Sequence, residues 1–187
     1  MFGVHMSDKI RNILKNHSLH AILEMLLGRE IQLFQSINFK VGSQQAAHSD
    51  SVHMTTFPKG FLIAAWIALE DINEDNGPLF YYPGSHQLPY VMNHNYDHGG
   101  NKWLIGKNAN AAYEKRIEKL IEDKGLVKER FYAKKGDVLI WHANLLHGGE
   151  AIKDENQSRK SMVLHYFAKD VICYHEMTQR PALIKKE

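Results

Sequence analysis

The sequence has little cysteine and no long apolar run. Cys173 is the one cysteine in 187 residues, so no internal disulfide can form and we expect a reducing compartment, the cytoplasm. No stretch reaches the roughly 18 apolar residues that a membrane-spanning helix needs. The first residues do not show the charged and then apolar segments of a signal peptide. These absences argue against a membrane protein and against a secreted, disulfide-stabilised one.

The chain also has no marked excess of charge of either sign. Lys and Arg total 23 and Asp and Glu total 21, which gives a formal net charge of +2. Proteins that bind nucleic acid or acidic membranes usually carry clustered Lys and Arg, so neither partner is expected. We find no internal repeat or linker, and residues 1–187 are predicted to form a single domain. Histidine is the abundant residue type, with 12 copies.

The apolar pattern predicts helices at the start of the chain and in one later insertion. Within the first 28 residues, Ser7-Asp8 and Ser18 are predicted to cap two helices, with Gly28 ending the second. Residues 86–110 are polar and are predicted to form a long surface excursion. Ala111–Lys124 has the strongest helical periodicity in the chain and is followed by Gly125.

Short segments rich in β-branched and aromatic residues predict a mainly β fold. The predicted strands are Ile31–Val41, Phe61–Leu69, Leu79–Tyr82, Val127–Ala133, Asp137–Trp141 and Ser161–Phe167. Asn76-Gly77 is typical of a hairpin turn, and Met177–Glu187 is predicted to be a loose tail. Together these elements favour an antiparallel barrel or jelly roll with N-terminal helices and one inserted helix.

Two histidines and one aspartate form a candidate metal site. In a strand, residues two apart point to the same face, so His48 and Asp50 are predicted to project together. His147 ends an apolar run just before Gly148-Gly149, and a jelly roll can bring it beside them. Two imidazoles and one carboxylate on one side of a metal suit the non-haem Fe(II) oxygenases, with zinc as a competitor. Taken alone, the His48-Ser49-Asp50 triplet is better explained as a surface His beside a solvated Asp.

Arg159 follows His147 after a polar loop, residues 150–158. If the two flanking strands form a hairpin, Arg159 returns into the barrel near His147. A buried guanidinium requires a carboxylate partner, which its planar fork holds through two hydrogen bonds. A keto diacid could bind the metal through its 2-oxo acid end and Arg159 through the other end. The alternative is that Arg159 is exposed together with Lys160.

The sequence resembles the phytanoyl-CoA dioxygenase family of Fe(II)- and 2-oxoglutarate-dependent oxygenases. The resemblance rests on an ordered set of short motifs within residues 48–167. They are His48-Ser49-Asp50, Ala64-Ala65-Trp66-Ile67-Ala68-Leu69-Glu70-Asp71, Asn76-Gly77-Pro78-Leu79, Pro83-Gly84-Ser85-His86, Gly136-Asp137-Val138, His147-Gly148-Gly149 and Asn156-Gln157-Ser158-Arg159-Lys160-Ser161. Each motif is weak by itself, but their order along the chain is specific.

The resemblance implies a double-stranded β-helix, which is a distorted jelly roll, with a metal near one mouth. His48, Asp50 and His147 would be the catalytic iron ligands, and Arg159 would bind the far carboxylate of 2-oxoglutarate. The implied reaction hydroxylates a C–H bond of a small organic molecule with O2, releasing succinate and CO2. A halogenase is disfavoured because Asp50 is present and halide needs that ligand position vacant.

The resemblance also implies further contacts to the cosubstrate. Trp66 would line the cosubstrate pocket, although a core aromatic is an equal alternative. Gln35 and Asn38 occupy the strand before the triplet, where related enzymes place polar contacts, and each could instead be a solvated strand residue. The chain departs from the family at Gly149, where relatives often carry a serine, and in having fewer residues before His48. These departures leave open a non-catalytic jelly-roll binding module, while a cupin-type metalloenzyme that does not use 2-oxoglutarate is a second alternative.

Overall fold

The computed structural model describes residue 13 and residues 16–96, 108–176 and 180–182, which include two α-helices and ten strands. The helices are α1 (His17–Leu27) and α2 (Ala109–Lys124). The strands are β1 (Ile31–Phe39), β2 (Met54–Phe57), β3 (Leu62–Ala68), β4 (Leu79–Tyr81), β5 (Glu129–Phe131), β6 (Val138–His142), β7 (His147–Gly149), β8 (Ser161–Ala168), β9 (Ile172–His175) and β10 (Arg180–Pro181).

The strands form three antiparallel sheets. A four-stranded sheet has the order β1-β8-β3-β6, and two three-stranded sheets have the orders β10-β9-β2 and β5-β4-β7. The predicted mainly β, jelly-roll fold class is confirmed. Neither α1 nor α2, the two α-helices among the described residues, is long and apolar enough to cross a membrane.

The four-stranded sheet has two faces with different roles. One face packs against Leu19 and Leu23 of α1 and forms a core with alternate residues of β3 and β8, such as Ala65 and Leu164. The opposite face carries Trp66 of β3 and Val163 of β8. Because side chains alternate across a strand, this second face is the one that contributes to the candidate site.

A bulge in β1 changes which residues face that site. The register runs from Leu33 opposite Tyr166 to Gln35 opposite His165, so Phe34 is the inserted residue. Without the bulge, Leu33 and Gln35 would share one face. With it, Leu33 packs on the α1 side while Gln35 turns to the opposite face. This shift cannot be read from the alternation of residue types.

The structure corrects the predicted turn at Asn76-Gly77. Gly77 does adopt φ +77°, but β3 and β4 belong to different sheets and form no hairpin. The reason is the buried side chain of Asn76, which donates to the carbonyls of Asp71 and Ser158 at 3.1 and 3.2 Å. These bonds direct the chain from one sheet to the next instead of back along β3.

The helix boundaries are partly as predicted. Gly28 and Gly125 end α1 and α2 in left-handed conformations, which confirms both predicted stops. The predicted cap Ser18 is wrong, because the side chain of Asn16 accepts a hydrogen bond from the amide of Leu19 at 3.0 Å and caps α1. The helix predicted after Ser7-Asp8, apart from residue 13, lies outside the described residues.

The C-terminal part of the chain is more ordered than predicted. Arg180–Pro181 pairs with β9, so the loose-tail prediction is wrong for these residues, while 177–179 and 183–187 lie outside the described residues. Strands β2 and β9 also went unpredicted. They pair with each other, with Met54 opposite His175, at the mouth of the candidate site. Within the predicted surface excursion 86–110, residues 97–107 lie outside the described residues.

Candidate metal centre

His48 and His147 are brought together by backbone hydrogen bonds. The amide of His48 donates to the carbonyl of His147, and the amide of His147 donates to the carbonyl of His48, both at 2.9 Å. Asp50 follows at the start of a 3-10 turn, residues 50–52, instead of continuing a strand. The expected strand geometry of the triplet is therefore wrong, although the turn still delivers the Asp50 carboxylate to the same point as His48.

The three side chains form a compact donor set. One ligand atom from each of His48, Asp50 and His147 can be chosen so that all three lie within 4.8 Å of one another. Asp50 Oδ1 lies 3.6 Å from His147 Nε2, and the two imidazole centroids are 4.6 Å apart. Asp50 and His147 are buried, with 7% and 6% of their surface exposed. Such a group can bind one ion.

Backbone carbonyls fix the tautomers of both histidines. His48 Nδ1 lies 2.9 Å from the carbonyl oxygen of Ala46, and His147 Nδ1 lies 3.0 Å from that of Leu145. Because a carbonyl only accepts, each Nδ1 must carry the proton. Each Nε2 then has a free lone pair, which is the state that a metal-binding imidazole requires.

The electrostatics of the site favour the protonation states that bind metal. Burial, and next the neighbouring His147, lower the pKa of His48 to about 4, so this imidazole is neutral at neutral pH. Burial by itself would raise the pKa of Asp50, but the imidazoles of His147 and His165 outweigh it and hold that pKa well below its usual range. An ionised carboxylate beside a neutral imidazole is what a divalent cation needs.

The chemistry of this donor set fits Fe(II). Two imidazole nitrogens and one carboxylate oxygen on the same side of an ion leave the opposite side open, as in non-haem Fe(II) oxygenases. Within the part of the chain that the structure describes, this is the one group of three or more metal-binding side chains. Zinc accepts the same ligands, so the donor set by itself does not choose between the two metals.

Residues outside the predicted set surround the second oxygen of Asp50. The indole Nε1 of Trp141 donates to Asp50 Oδ2 at 2.7 Å, and His165 Nε2 lies 3.3 Å from the same oxygen. Gln35 Nε2 lies 3.3 Å from His165 Nδ1. Trp141 on β6 and His165 on β8 both face inward. The sequence offers only their positions on predicted strands as a sign that they could reach the site.

A cavity of about 380 Å³ extends from the metal ligands towards Arg159. Arg159 is 3% exposed, which excludes the alternative of a surface residue. Its Nη1 donates to Ser161 Oγ at 3.2 Å, whereas its buried Nε has no hydrogen-bond partner in the described part of the chain. No carboxylate pairs with this guanidinium among the described residues. Burial lowers the pKa of Arg159 to about 10, which still leaves the group charged at neutral pH.

The route by which Arg159 reaches the cavity differs from the predicted one. His147 lies on β7, which pairs with β4, and the strand after Arg159 is β8, which pairs with β1 and β3. The predicted hairpin between the two flanking strands is therefore wrong. Arg159 is instead anchored by its own amide, which donates to the carbonyl of Lys40 at 2.9 Å. Arg159 and His147 still line the same cavity, as the predicted hairpin would also have required.

The remaining predicted residues have different locations. Trp66 is buried and lines the cavity, and its ring lies 5.7 Å from the Arg159 guanidinium carbon. Gln35 lines the cavity as well, but its amide is directed at His165 and Met54. Asn38 is exposed on the other face of β1 from Gln35 and does not line the cavity, because the alternation after the bulge turns it outward. The structure thus does not bring Asn38 to the site.

Two further histidines lie at the rim of the cavity. His53 and His175 both line it, and the His53 ring lies 6.0 Å from that of His48. The carbonyl of His53 accepts a hydrogen bond from the amide of Glu176 at 3.0 Å, which holds the two rim segments together.

His86 and His142 are near each other, with ring centroids 6.3 Å apart, but neither lines this cavity.

The two glycines after His147 allow a loop to approach β7 closely. A Cβ on Gly149 would lie 2.8 Å from Ser43 Oγ, so the Ser43 hydroxyl occupies the space next to that position. Ser43 also lines the cavity. The amide of Gly149 donates to the carbonyl of Gln45 at 3.0 Å, which ties the loop to the strand. The absence of a side chain at 149 is thus a packing requirement of this chain.

Replacing Gly148 with alanine is expected to destabilise the fold. The new Cβ would lie 2.6 Å from the carbonyl oxygen of Gln45 and 2.4 Å from Phe80 Cζ, so backbone must move. We expect a loss of about 1–3 kcal/mol in the free energy of unfolding, measured by urea denaturation. Gly42→Ala is the matched comparison, because its closest contacts of 3.2 and 3.3 Å predict a smaller loss. Equal losses in the two variants would contradict the packing argument.

Comparisons with known proteins agree with the geometry. A family model described as phytanoyl-CoA dioxygenase matches residues 4–161. Phytanoyl-CoA dioxygenase, peroxisomal, from Mus musculus is 27% identical over 137 residues, which cover 72% of this chain and 36% of that protein. Phytanoyl-CoA dioxygenase domain-containing protein 1 from Bos taurus is 32% identical over 91 residues, covering 45% and 31%. The chain therefore spans well under two thirds of the length of these relatives.

Solved structures share the fold. The epimerase SnoN from nogalamycin biosynthesis, described as non-heme and alpha ketoglutarate dependent, has a TM-score of 0.64 and 20% identity, covering 97% of this chain and 63% of that one. The carbocyclase SnoK from the same biosynthesis has a TM-score of 0.67 and 16% identity, covering 96% and 69%. EctD from S. alaskensis has a TM-score of 0.66 and 21% identity, covering 97% and 61%.

Proposed function

Since the chain belongs to the phytanoyl-CoA dioxygenase family, we propose that it is an Fe(II)- and 2-oxoglutarate-dependent oxygenase that hydroxylates a C–H bond of a small organic molecule. One observation carries the proposal. The donor set His48, Asp50 and His147 shares a cavity with Arg159, whose buried guanidinium has no acid partner among the described residues. One end of the cavity fits a metal and the other fits a carboxylate.

The metal ligands and the chain around them define where the reaction takes place. His48, Asp50 and His147 would hold Fe(II) from one side, so the cosubstrate, O2 and substrate would approach from the other. The bound iron and 2-oxoglutarate would supply the oxidising chemistry, in which O2 is consumed, succinate and CO2 are released and the substrate is hydroxylated. The carbonyls of Ala46 and Leu145 keep both imidazoles in the orientation that binding requires.

Arg159 and its surroundings would bind the far carboxylate of 2-oxoglutarate. Its guanidinium lies within 6 Å of the rings of Phe39 and Trp66, at 5.6 and 5.7 Å from their centroids. These rings exclude water, and a charged hydrogen bond is stronger where water is excluded. Ser161 Oγ, which accepts from Arg159 Nη1, keeps the guanidinium from turning away. Pairing with a ligand acid would neutralise a buried charge.

The size of the cavity favours a small substrate. Ligand sites usually have volumes of roughly 300–1,000 Å³, and about 380 Å³ is near the lower end. Part of this volume would be taken by the cosubstrate. The polar rim, which includes His53 and His175, is where the rest of the substrate would lie. Hydroxylation is the proposed outcome, while similar folds occur in proteins described as an epimerase and a carbocyclase.

Anaerobic addition of Fe(II) and 2-oxoglutarate is expected to produce a visible charge-transfer band. The band arises when the 2-oxo acid chelates Fe(II), so it requires both ligands in one cavity. The measurement is the absorption difference between the protein with both additions and the protein with Fe(II) alone, with protein-free buffer as the reference.

The same experiment separates the proposal from its alternatives. A non-catalytic binding module or a cupin-type metalloenzyme that does not use 2-oxoglutarate would give no band above the buffer reference. If the band forms, aerobic incubation with candidate metabolites and measurement of succinate would identify the substrate. Absence of the band in a protein that binds Fe(II) tightly would overturn the role of 2-oxoglutarate.

A further inference from the structure

The two oxygens of the Asp50 carboxylate have different surroundings. Oδ1 faces the metal side, 3.6 Å from His147 Nε2. Oδ2 accepts a hydrogen bond from Trp141 Nε1 at 2.7 Å and lies 3.3 Å from His165 Nε2. The latter contact lacks the alignment of a hydrogen bond, so the indole is the principal partner of Oδ2. All four residues are buried.

Trp141 is rigidly placed for this contact. It lies on β6, the edge strand of the four-stranded sheet, opposite Ala64 of β3, and is 4% exposed. Its ring packs on the His147 imidazole, with centroids 4.6 Å apart and planes inclined by 43°. An indole N–H can only donate, and the acceptor that it meets here is the carboxylate oxygen Oδ2 of Asp50.

His165 adds to the same arrangement from β8, on the other side of β3 from β6. The Gln35 amide nitrogen lies 3.3 Å from His165 Nδ1 and 3.6 Å from Met54 Sδ, and both of these atoms can accept. If Gln35 donates to Nδ1, the proton of a neutral His165 is on Nε2, directed towards Asp50 Oδ2. The opposite assignment would direct a lone pair of His165 at the carboxylate. In either assignment the indole N–H of Trp141 is the principal donor to Oδ2.

We propose that Trp141 is a positioning residue, which occupies Oδ2 of Asp50 so that the carboxylate offers Oδ1 alone to the metal. This inference rests on the proposed metal site, and it goes beyond it by assigning the geometry of one ligand. A carboxylate without this bond can rotate and use both oxygens, which would take up a position that the cosubstrate or O2 needs. Trp141 thus keeps the open side of the site open.

The Trp141→Phe variant tests the inference, because it removes the N–H and keeps an aromatic ring beside His147. The expected result is a Kd for Mn(II) or Co(II) that is about 10- to 100-fold higher, as is typical when a partner of a metal ligand is lost. The visible absorption of the Co(II) protein should also change, because a carboxylate that binds through both oxygens replaces another ligand of the ion. Tyr166→Phe is the matched control. It removes a buried hydroxyl from the opposite face of the same sheet and should leave both readouts unchanged.

A second measurement uses the unaltered protein, so it does not depend on the variant folding. In ¹⁵N-labelled protein loaded with Zn(II), the indole N–H resonance of Trp141 should remain downfield and protected from exchange, as in the metal-free protein. Movement of this resonance upfield on loading would overturn the inference, as would an unchanged Kd in Trp141→Phe. Failure of the unaltered protein to bind Mn(II), Co(II) or Zn(II) would instead overturn the proposed function.

Discussion

Replacing Asp50 with asparagine is expected to abolish metal binding and turnover together while the fold remains intact. The asparagine side chain keeps an oxygen that can accept from Trp141 Nε1, so the buried indole stays paired. The variant loses the one negative charge in the donor set, and a divalent cation next to the two imidazoles then lacks its charge partner. Calorimetry with Fe(II) under anaerobic conditions and measurement of succinate report the two losses. His147→Ala should give the same result, because two donors then remain.

Suitable controls for these variants are present elsewhere in the chain. Asp123 is an exposed partner of Lys119 on α2, and Asp123→Asn should bind Fe(II) like the unaltered protein. His86→Ala removes an imidazole that does not line the cavity. Far-UV circular dichroism checks that each protein is folded. Retained Fe(II) binding in Asp50→Asn or His147→Ala would refute the assignment of these three ligands.

Local sequence patterns were sufficient for much of the fold. Strands β3 and β8 are buried throughout and rich in apolar residues, so their type was evident from composition. The glycines that end α1 and α2 were equally clear, because Gly28 and Gly125 follow a helical pattern directly. Pairing between strands was harder to predict. The turn at Asn76-Gly77 has the residues of a hairpin. Its direction is instead set in part by a hydrogen bond from the Asn76 side chain to the carbonyl of Ser158, far along the chain.

The candidate site could be predicted in its residue types and less well in its geometry. The pairing of His48 with His147 could not be predicted, because the two residues are far apart in the sequence and an isolated backbone bridge has no sequence signature. The Gln35 side chain faces the cavity because of the bulge at Phe34, and no residue pattern predicts that bulge. The sequence assigns no role to Trp141 and leaves His165 open as a structural residue or a neighbour of the ligands, because such residues on an apolar strand are most often core residues. Their contacts with Asp50 depend on the side-by-side packing of β6, β3 and β8, which the sequence does not reveal.

Burial explains why Arg159 is the most informative of the predicted residues. An unpaired charge in a low-dielectric interior is costly, and proteins keep one there when a ligand completes it. Among the described residues, the Arg159 guanidinium has a hydrogen bond to Ser161 Oγ and a buried Nε without a partner. Of the described residues that line the cavity in front of it, Asp50 is the one acid, and it faces the histidines. We therefore propose that the anion which pairs with Arg159 comes from a ligand.

Replacing Arg159 with methionine is therefore expected to separate cosubstrate binding from metal binding. The Kd for 2-oxoglutarate should rise about 100-fold or more, because removing one partner of a buried ion pair typically costs about 3–5 kcal/mol. The Kd for Fe(II) should change little, since Arg159 is not among the donor atoms within 4.8 Å of one another. The measurements are anaerobic calorimetric titrations of Fe(II) into the protein and of 2-oxoglutarate into the Fe(II)-loaded protein.

The stability of the same variant gives an independent result. In the metal-free protein, Arg159→Met removes an incompletely paired buried cation, so its melting temperature should equal or exceed that of the unaltered protein. Added 2-oxoglutarate should raise the melting temperature of the Fe(II)-loaded unaltered protein but not that of the variant, because only ligand that binds the folded state stabilises it. Lys160→Ala removes the neighbouring exposed cation, which pairs with Glu70, and should keep the 2-oxoglutarate response. If Arg159→Met weakens Fe(II) and 2-oxoglutarate binding equally, Arg159 supports the fold of the site and does not bind the cosubstrate.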